Sequence, residues 1–290
     1  MSRYTQDGSD EGGPARSGFG GGPAQPGFAF PPVTPMVKKI MILSAGIWAF
    51  SWLMFLTFSP GLELVMDVLG LNPEYWSKFF PFVPAWQLVT YGFMHSVGPM
   101  HLIWNMLGLY FFGTMVEEAI GSQRFLVHYL ASIAVGGAVF MLYSVATGGQ
   151  ISTIGASGAV YAMICAAATF RPNARVILIM FPIALKWLAI GIVGIGVITG
   201  LNGWKAGSSD GVNHLIHVVG GLYGYAAVRY RFIWSDPIQR VQSRRAIAVE
   251  DKRVSDQSRV DALLEKIHHE GIAALSKRDK EFLKQTSKRK

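Results

Sequence analysis

Cysteine is almost missing from this chain: Cys165 stands alone among 290 residues. One thiol closes no intramolecular disulfide and builds no cysteine metal site. Lying within an apolar run, it reads as a small core residue. Charge is scarce as well, with Asp, Glu, Lys and Arg at 15% of residues against about 25% in soluble domains. Short period-two segments do not recur, which excludes a transmembrane barrel. The first 36 residues are polar and rich in Gly and Pro, unlike a cleavable signal peptide. They are expected to form a flexible cytoplasmic extension, residues 1–36, with the first apolar stretch acting as the insertion signal.

What is abundant is apolar sequence, 51% of the chain. Several stretches approach the roughly 20 residues that cross a hydrocarbon core as helix. The expected fold is therefore all-α and polytopic. Six spans are assigned to a domain over residues 37–232: Ile40 to Phe58, Met100 to Val116, Phe125 to Ala146, Ile154 to Phe170, Trp187 to Leu201 and Val212 to Tyr230. The fifth is preceded by an interfacial piece up to Lys186. The segment from Ser59 to Gly98 is aromatic, broken by prolines and too interrupted to span, so it is expected in the outer interface.

The net charge of +8 is local. From Arg229 to Lys290 there are 16 Lys and Arg against 9 Asp and Glu. A basic tail carries no argument for nucleic acid; it does orient the protein. With both termini in the cytoplasm, only Lys78 and Lys205 of the 26 cations fall outside, and the flipped arrangement would reverse this. Residues 233–290 are expected to hold two short amphipathic helices. In the first, Val260, Leu263, Leu264 and Ile267 follow helical spacing up to a stop at Gly271. The second opens on the capping box of Ser276 and Asp279.

The topology has a geometric consequence. Spans two, four and six all run from outside to inside. His101, Ser157 and His217 each lie near the start of one of them, so all three fall at a similar shallow outer depth, about one turn in. Ionisable groups at membrane depth are costly and mark function. Ser157 needs a base, because a free hydroxyl is a weak nucleophile; His217 suits that task, since imidazole titrates near neutral pH. Gly158, Gly220 and Gly224 let the two helices approach closely. Tyr161, one turn after Ser157, is placed to pack on the His217 ring. His101 and Asn105 share a face of span two and could donate to a developing oxyanion together with the Ser157 N–H.

No acid completes a triad. Asp210 lies seven residues before His217 in a loop, and Glu117 and Glu118 sit at the opposite face, so a Ser–His dyad is expected. The run Gly155-Ala156-Ser157-Gly158-Ala159 ends in alanine and fails the Gly-x-Ser-x-Gly elbow. The competing use of the histidines is a metal site, with His214 and His217 at i, i+3 and His95 and His101 on the same side. There is no His-Glu-x-x-His and no carboxylate at that depth within a span, so neither metal nor cofactor is expected. His128 and the His268-His269 pair read as structural or solvated.

The ordered set His101-x-x-x-Asn105, Gly155-x-Ser157-Gly158 with Tyr161, and His217-x-x-Gly220-x-x-x-Gly224 resembles the rhomboid family of intramembrane serine proteases. Glu117-x-x-x-Gly121-Ser122 resembles it too. The resemblance covers roughly Lys38 to Tyr230. It implies a six-helix bundle with an outward-opening wet cavity, Ser157 as nucleophile, His217 as general base, and His101 and Asn105 as oxyanion donors. The implied partners are the bilayer and single transmembrane helices cut at small residues in an unwound segment; the implied location is a bacterial inner membrane. Trp86-Gln87 departs from the family's frequent Trp-Arg and puts the contacts of the first loop in question. A non-catalytic relative that binds membrane clients would lack the serine or the histidine. A transporter would show matched broken repeats, which are missing. The sequence sets no oligomeric state.

Overall fold

Prolines start helices in this protein rather than interrupt them. The computed structural model describes residues 32–178, 181–205, 210–234 and 237–287, all but Pro32 within one unit, Val33–Lys290. The extension expected over residues 1–36 lies outside them as far as residue 31. In chain order the helices are α1 (Pro35–Thr57), α2 (Ser59–Leu69), α3 (Pro73–Phe79), α4 (Gln87–Thr90), α5 (Pro99–Gly108), α6 (Thr114–Ile120), α7 (Ser122–Thr147) and α8 (Ser157–Phe170). Then come strands β1 (Arg175–Leu178) and β2 (Phe181–Ala184), and helices α9 (Leu185–Lys205), α10 (Asp210–Arg229), α11 (Pro237–Glu270) and α12 (Lys277–Ser287). Pro35, Pro73 and Pro99 each open their helix, where a missing N–H costs nothing and a fixed φ is already helical.

α1 is built inside out. Ser44 and Ser51 are fully buried, while Ile42, Leu43, Phe50, Leu53, Phe55 and Leu56 face outward. That inversion suits a hydrocarbon solvent, where small polar residues mediate helix contact and aliphatic ones meet lipid. α9 behaves alike: only Leu185 and Gly196 are buried along it. Trp187 and Trp204 stand exposed near its two ends, about 26 Å apart at 1.5 Å per residue, as anchors at two interfaces would be. Among the described residues, α1, α7 and α9 are long and apolar enough to cross a membrane, and α8 is a shorter apolar helix.

The second expected span is one continuous rod from α5 to α6 through a π-helical turn, Leu109–Gly113. Near its C-terminal end Glu117, 3% exposed, caps another helix. Its carboxylate accepts from the Met36 and Val37 amides at 2.9 Å each, from the Thr34 hydroxyl and from Ser122 Oγ. The first amides of α1 have no intrahelical acceptor, and a carboxylate there also meets the positive end of the helix dipole. Gly121, at φ +82°, turns the chain from α6 into α7.

Gln87 answers the question raised by the missing arginine. It is fully buried. Its Oε1 accepts from the Asn72 amide at 3.1 Å and from Trp76 Nε1 at 3.0 Å; its Nε2 donates to the Asp67 and Val68 carbonyls. The first loop is thus a set of short helices hung on one amide side chain. An antiparallel bridge between Leu71 and Thr153 ties it to the strand-like run before α8.

Several expectations need correction. The fold is mostly helical, and the piece expected before the fifth span contains two four-residue strands, β1 and β2, paired antiparallel. α9 begins at Leu185, whose N–H bonds the Ala174 carbonyl, and continues through Asn202 to Lys205, past the expected end of the fifth span at Leu201. α8 begins at Ser157 rather than Ile154. The tail's first helix is not short: α11 runs 34 residues, because no glycine and no further proline interrupts Pro237 to Glu270. Within it Val260, Leu263 and Ile267 are part-buried, whereas Leu264 is exposed. The Gly271 stop and the Ser276 cap are as expected, with the Asp279 N–H donating to Ser276 Oγ at 3.2 Å.

Candidate active site

The site is made where α8 and α10 cross. Two rungs of small residues set their separation. A Cβ added to Gly220 would be driven into the carbonyl oxygen of Gly158, and one added to Gly224 into that of Ala162. Gly158 in turn leaves only 2.7 Å between a would-be Cβ and Ile216 Cγ2. Backbones this close bring short side chains on the facing edges within bonding reach. Ser157 is the residue before Gly158, and His217 lies three before Gly220.

His217 Nε2 stands 2.7 Å from Ser157 Oγ. Tyr161 stacks on the imidazole, ring centroids 4.6 Å apart and planes 12° from parallel, so the ring cannot rotate freely away from the hydroxyl. His217 Nδ1 is buried and has no hydrogen-bond partner among the described residues. The side chain of Asp210 lies outside what is described. Among the described residues the arrangement is a serine and an imidazole in contact, with the imidazole stacked on an aromatic ring and no carboxylate bonded to its Nδ1.

Ser157 is the first residue of α8, so its N–H belongs to the amides that an α-helix leaves without internal acceptors. The depth estimate of one turn therefore holds for neither Ser157, which starts its helix, nor His217, seven residues after Asp210. The serine is delivered by Gly155, whose φ of +128° is open only to glycine. Its N–H donates to the Tyr91 carbonyl at 2.9 Å, and Tyr91 Oη donates to the Ile133 carbonyl at 2.9 Å. A Cβ at Gly155 would lie 2.8 Å from His101 Nε2 and 3.8 Å from Ser157 Oγ. Glycine thus keeps open the space between an imidazole donor and the hydroxyl.

His101 is held from its other side. Ser96 N and Oγ approach His101 Nδ1 at 3.4 and 3.3 Å, and the His95 ring meets it edge to face at 5.1 Å. Trp48 of α1 donates to the Ser96 carbonyl at 3.0 Å. Asn105, 5% exposed, donates one Nδ2 hydrogen to the His101 carbonyl at 2.8 Å and has a second to give. The site thus gathers Ser157, His217, Tyr161, His101, Asn105 and the four glycines 155, 158, 220 and 224 around one crossing. Tyr91, Ser96 and Trp48 were not singled out from sequence; their roles run through backbone carbonyls and a loop, which leave no periodic signal. His128 sits apart, its Nδ1 2.7 Å from Tyr223 Oη. Among the described residues no group of three or more His, Cys, Asp or Glu is disposed to hold a metal ion.

Comparison with known proteins places the chain in a family. A Rhomboid domain matches residues 84–233, just over half of the chain. The chain belongs to the rhomboid family, whose members are intramembrane proteases, and it is an integral membrane protein. A family of unknown function (DUF6576) matches residues 249–289. The chain is similar to presenilin-associated rhomboid-like protein A, mitochondrial, of Danio rerio, at 27% identity over 203 residues, covering 61% of this chain and 50% of the relative. It is 36% identical over 124 residues to RHOMBOID-like protein 12, mitochondrial, of Arabidopsis thaliana, covering 37% and 36%. It is 31% identical over 143 residues to Rhomboid protease GluP of Bacillus subtilis, covering 49% and 26%. The chain spans half or less of the length of these curated relatives.

Proposed function

We propose that this protein is a serine endopeptidase that hydrolyses peptide bonds in or near transmembrane helices of other membrane proteins through a Ser157–His217 dyad. The 2.7 Å contact between His217 Nε2 and Ser157 Oγ carries the reading. In the first step Ser157 Oγ attacks the scissile carbonyl carbon while its proton passes to His217 Nε2. Negative charge gathers on the carbonyl oxygen and meets the Ser157 N–H, His101 Nε2 and the spare Asn105 hydrogen. The C–N bond then breaks, and the leaving amine takes the proton from His217. Water, deprotonated by His217, hydrolyses the acyl ester and returns the Ser157 hydroxyl. In this reading α1, the α5–α6 rod, α7, α8, α9 and α10 are six membrane crossings. Both termini lie in the cytoplasm of a bacterial cell, a topology supported by the excess of cations on that side. The dyad lies toward the outer face.

The test is active-site labelling of the purified full chain with a fluorophosphonate, with the adduct mapped by mass spectrometry. Labelling on Ser157, lost in His217→Ala, is the expected result. Ser157→Ala is expected to stay folded and to stop cleavage of a transmembrane reporter. Cleavage that persists in purified Ser157→Ala removes the enzyme reading, and full labelling of His217→Ala removes His217 as the base.

A further inference from the structure

The turn of α10 just before His217 carries two polar side chains that no step above uses. Asn213 precedes His217 by four residues and His214 by three. At 100° per residue they lie about 40° and about 60° to either side of the His217 line, so all three share one face. Among the described residues Asn213 Oδ1 and His214 Nδ1 are buried without hydrogen-bond partners, as is His217 Nδ1. The His214 ring meets that of His217 edge to face, centroids 5.5 Å apart and planes at 74°, while Tyr161 covers a face of the same ring. A buried polar atom without a partner costs on the order of 1–3 kcal/mol, and such atoms in native proteins are few and call for a reason. Here two occur on consecutive residues, one helical turn from the nucleophile's base.

We propose that Asn213 and His214 are a main-chain clamp for the substrate: Asn213 Oδ1 accepts a peptide N–H and His214 Nδ1–H donates to a peptide C=O beside the scissile bond. The inference rests on the protease reading above and assigns how that site selects its ligand. In extended chain the N–H and C=O of one residue point to the same edge, which matches an acceptor and a donor flanking one line of a helix. In a regular helix those groups are already paired internally. The clamp therefore takes an unwound, extended stretch of any side-chain composition and gives a helical segment nothing to bind. It acts on the peptide, one turn from the reacting atoms, and leaves the Ser157–His217 contact intact.

The experiment uses the full chain in detergent micelles and a synthetic transmembrane peptide with one cleavage site. Asn213→Ala and His214→Ala are each expected to raise KM about tenfold, the effect of one lost hydrogen bond, with kcat within about twofold. Fluorophosphonate labelling of Ser157, which needs the dyad but no peptide main chain, is expected to keep its wild-type rate in both variants. A second series replaces single main-chain N–H groups of the peptide by N-methyl near the cleavage site. At one position the methyl group is expected to raise KM in the wild type and to have no further effect in Asn213→Ala. Unchanged KM in both variants overturns the clamp and leaves the protease intact. Labelling that falls in step with cleavage also overturns it, because the residues then act on His217 and not on the peptide. Wild-type protein that takes no label sinks the underlying protease reading instead.

Discussion

The backbones of Gly220 and Gly158 are in contact: no side-chain atom fits between the α10 residue and the carbonyl oxygen of its α8 counterpart. Gly220→Ala must push the helices apart. Overpacking of this kind costs about 1–3 kcal/mol, and the shift also separates Ser157 Oγ from His217 Nε2. Lower thermal stability together with loss of fluorophosphonate labelling is expected. Gly191→Ala on α9, where a Cβ meets nothing within 4 Å, is the control and should change neither. Labelling of Gly220→Ala at the wild-type rate would show that the crossing tolerates expansion.

Tyr161 orients His217 through its ring plane rather than its hydroxyl, since the two rings stack with centroids 4.6 Å apart. Tyr161→Phe should keep kcat within about threefold of wild type. Tyr161→Ala frees the imidazole and is expected to lower kcat by about tenfold to a hundredfold, in line with misplaced catalytic groups. Equal losses in the two variants would point to the hydroxyl instead.

Glu117 joins three elements with one carboxylate. Glu117→Ala leaves the Met36 and Val37 amides and the hydroxyls of Thr34 and Ser122 without their acceptor. Hydrogen bonds to charged groups contribute about 1.5–3 kcal/mol, so a loss of at least that size is expected in thermal or denaturant unfolding. Glu117 lies at the far end of the α5–α6 rod from His101, so cleavage per folded molecule should be retained. A stability change under about 0.5 kcal/mol would contradict this cap.

The tail hairpin is fastened at Arg259, which pairs with Asp279 at 3.0 Å and lies over the Phe282 ring at 4.5 Å. The Ser276 hydroxyl, and after it Arg259, hold the Asp279 carboxyl below the usual carboxylate range. A carboxyl lowered in the folded state favours folding at pH above its unfolded value and loses that advantage as pH falls through the lower folded value. The α11–α12 contact is therefore expected to loosen on acidification below about pH 4. Spin labels on Ser255 and Lys280 should report a broader distance distribution there, and Arg259→Ala should show the same broadening at neutral pH.

The legible parts of this chain were those with a chemical reason at a fixed spacing. Ser157, His217 and the glycines after them could be read because catalysis and close helix crossing each demand particular residue types at helical intervals. Gly271 could be read as punctuation for a similar reason. The β1–β2 hairpin could not: Val176, Ile177, Phe181 and Ile183 look equally apolar as helix, interface or strand, and pairing across the turn decides. The length of α11 was hidden because its polar half has no apolar face to count. Gln87 shows the limit of comparison by residue type, since the loop put in question by its departure from arginine is held by an amide through four hydrogen bonds.

The carboxylate that caps α1 is made some 80 residues after the amides it holds. A ribosome adding about 5–20 residues per second delivers the first hydrophobic segment seconds before Glu117 exists. Until then the Met36 and Val37 amides lack this acceptor, and the bond from Ser122 that holds the same carboxylate comes later still. The first turn of α1 is thus completed by a residue synthesised long after it.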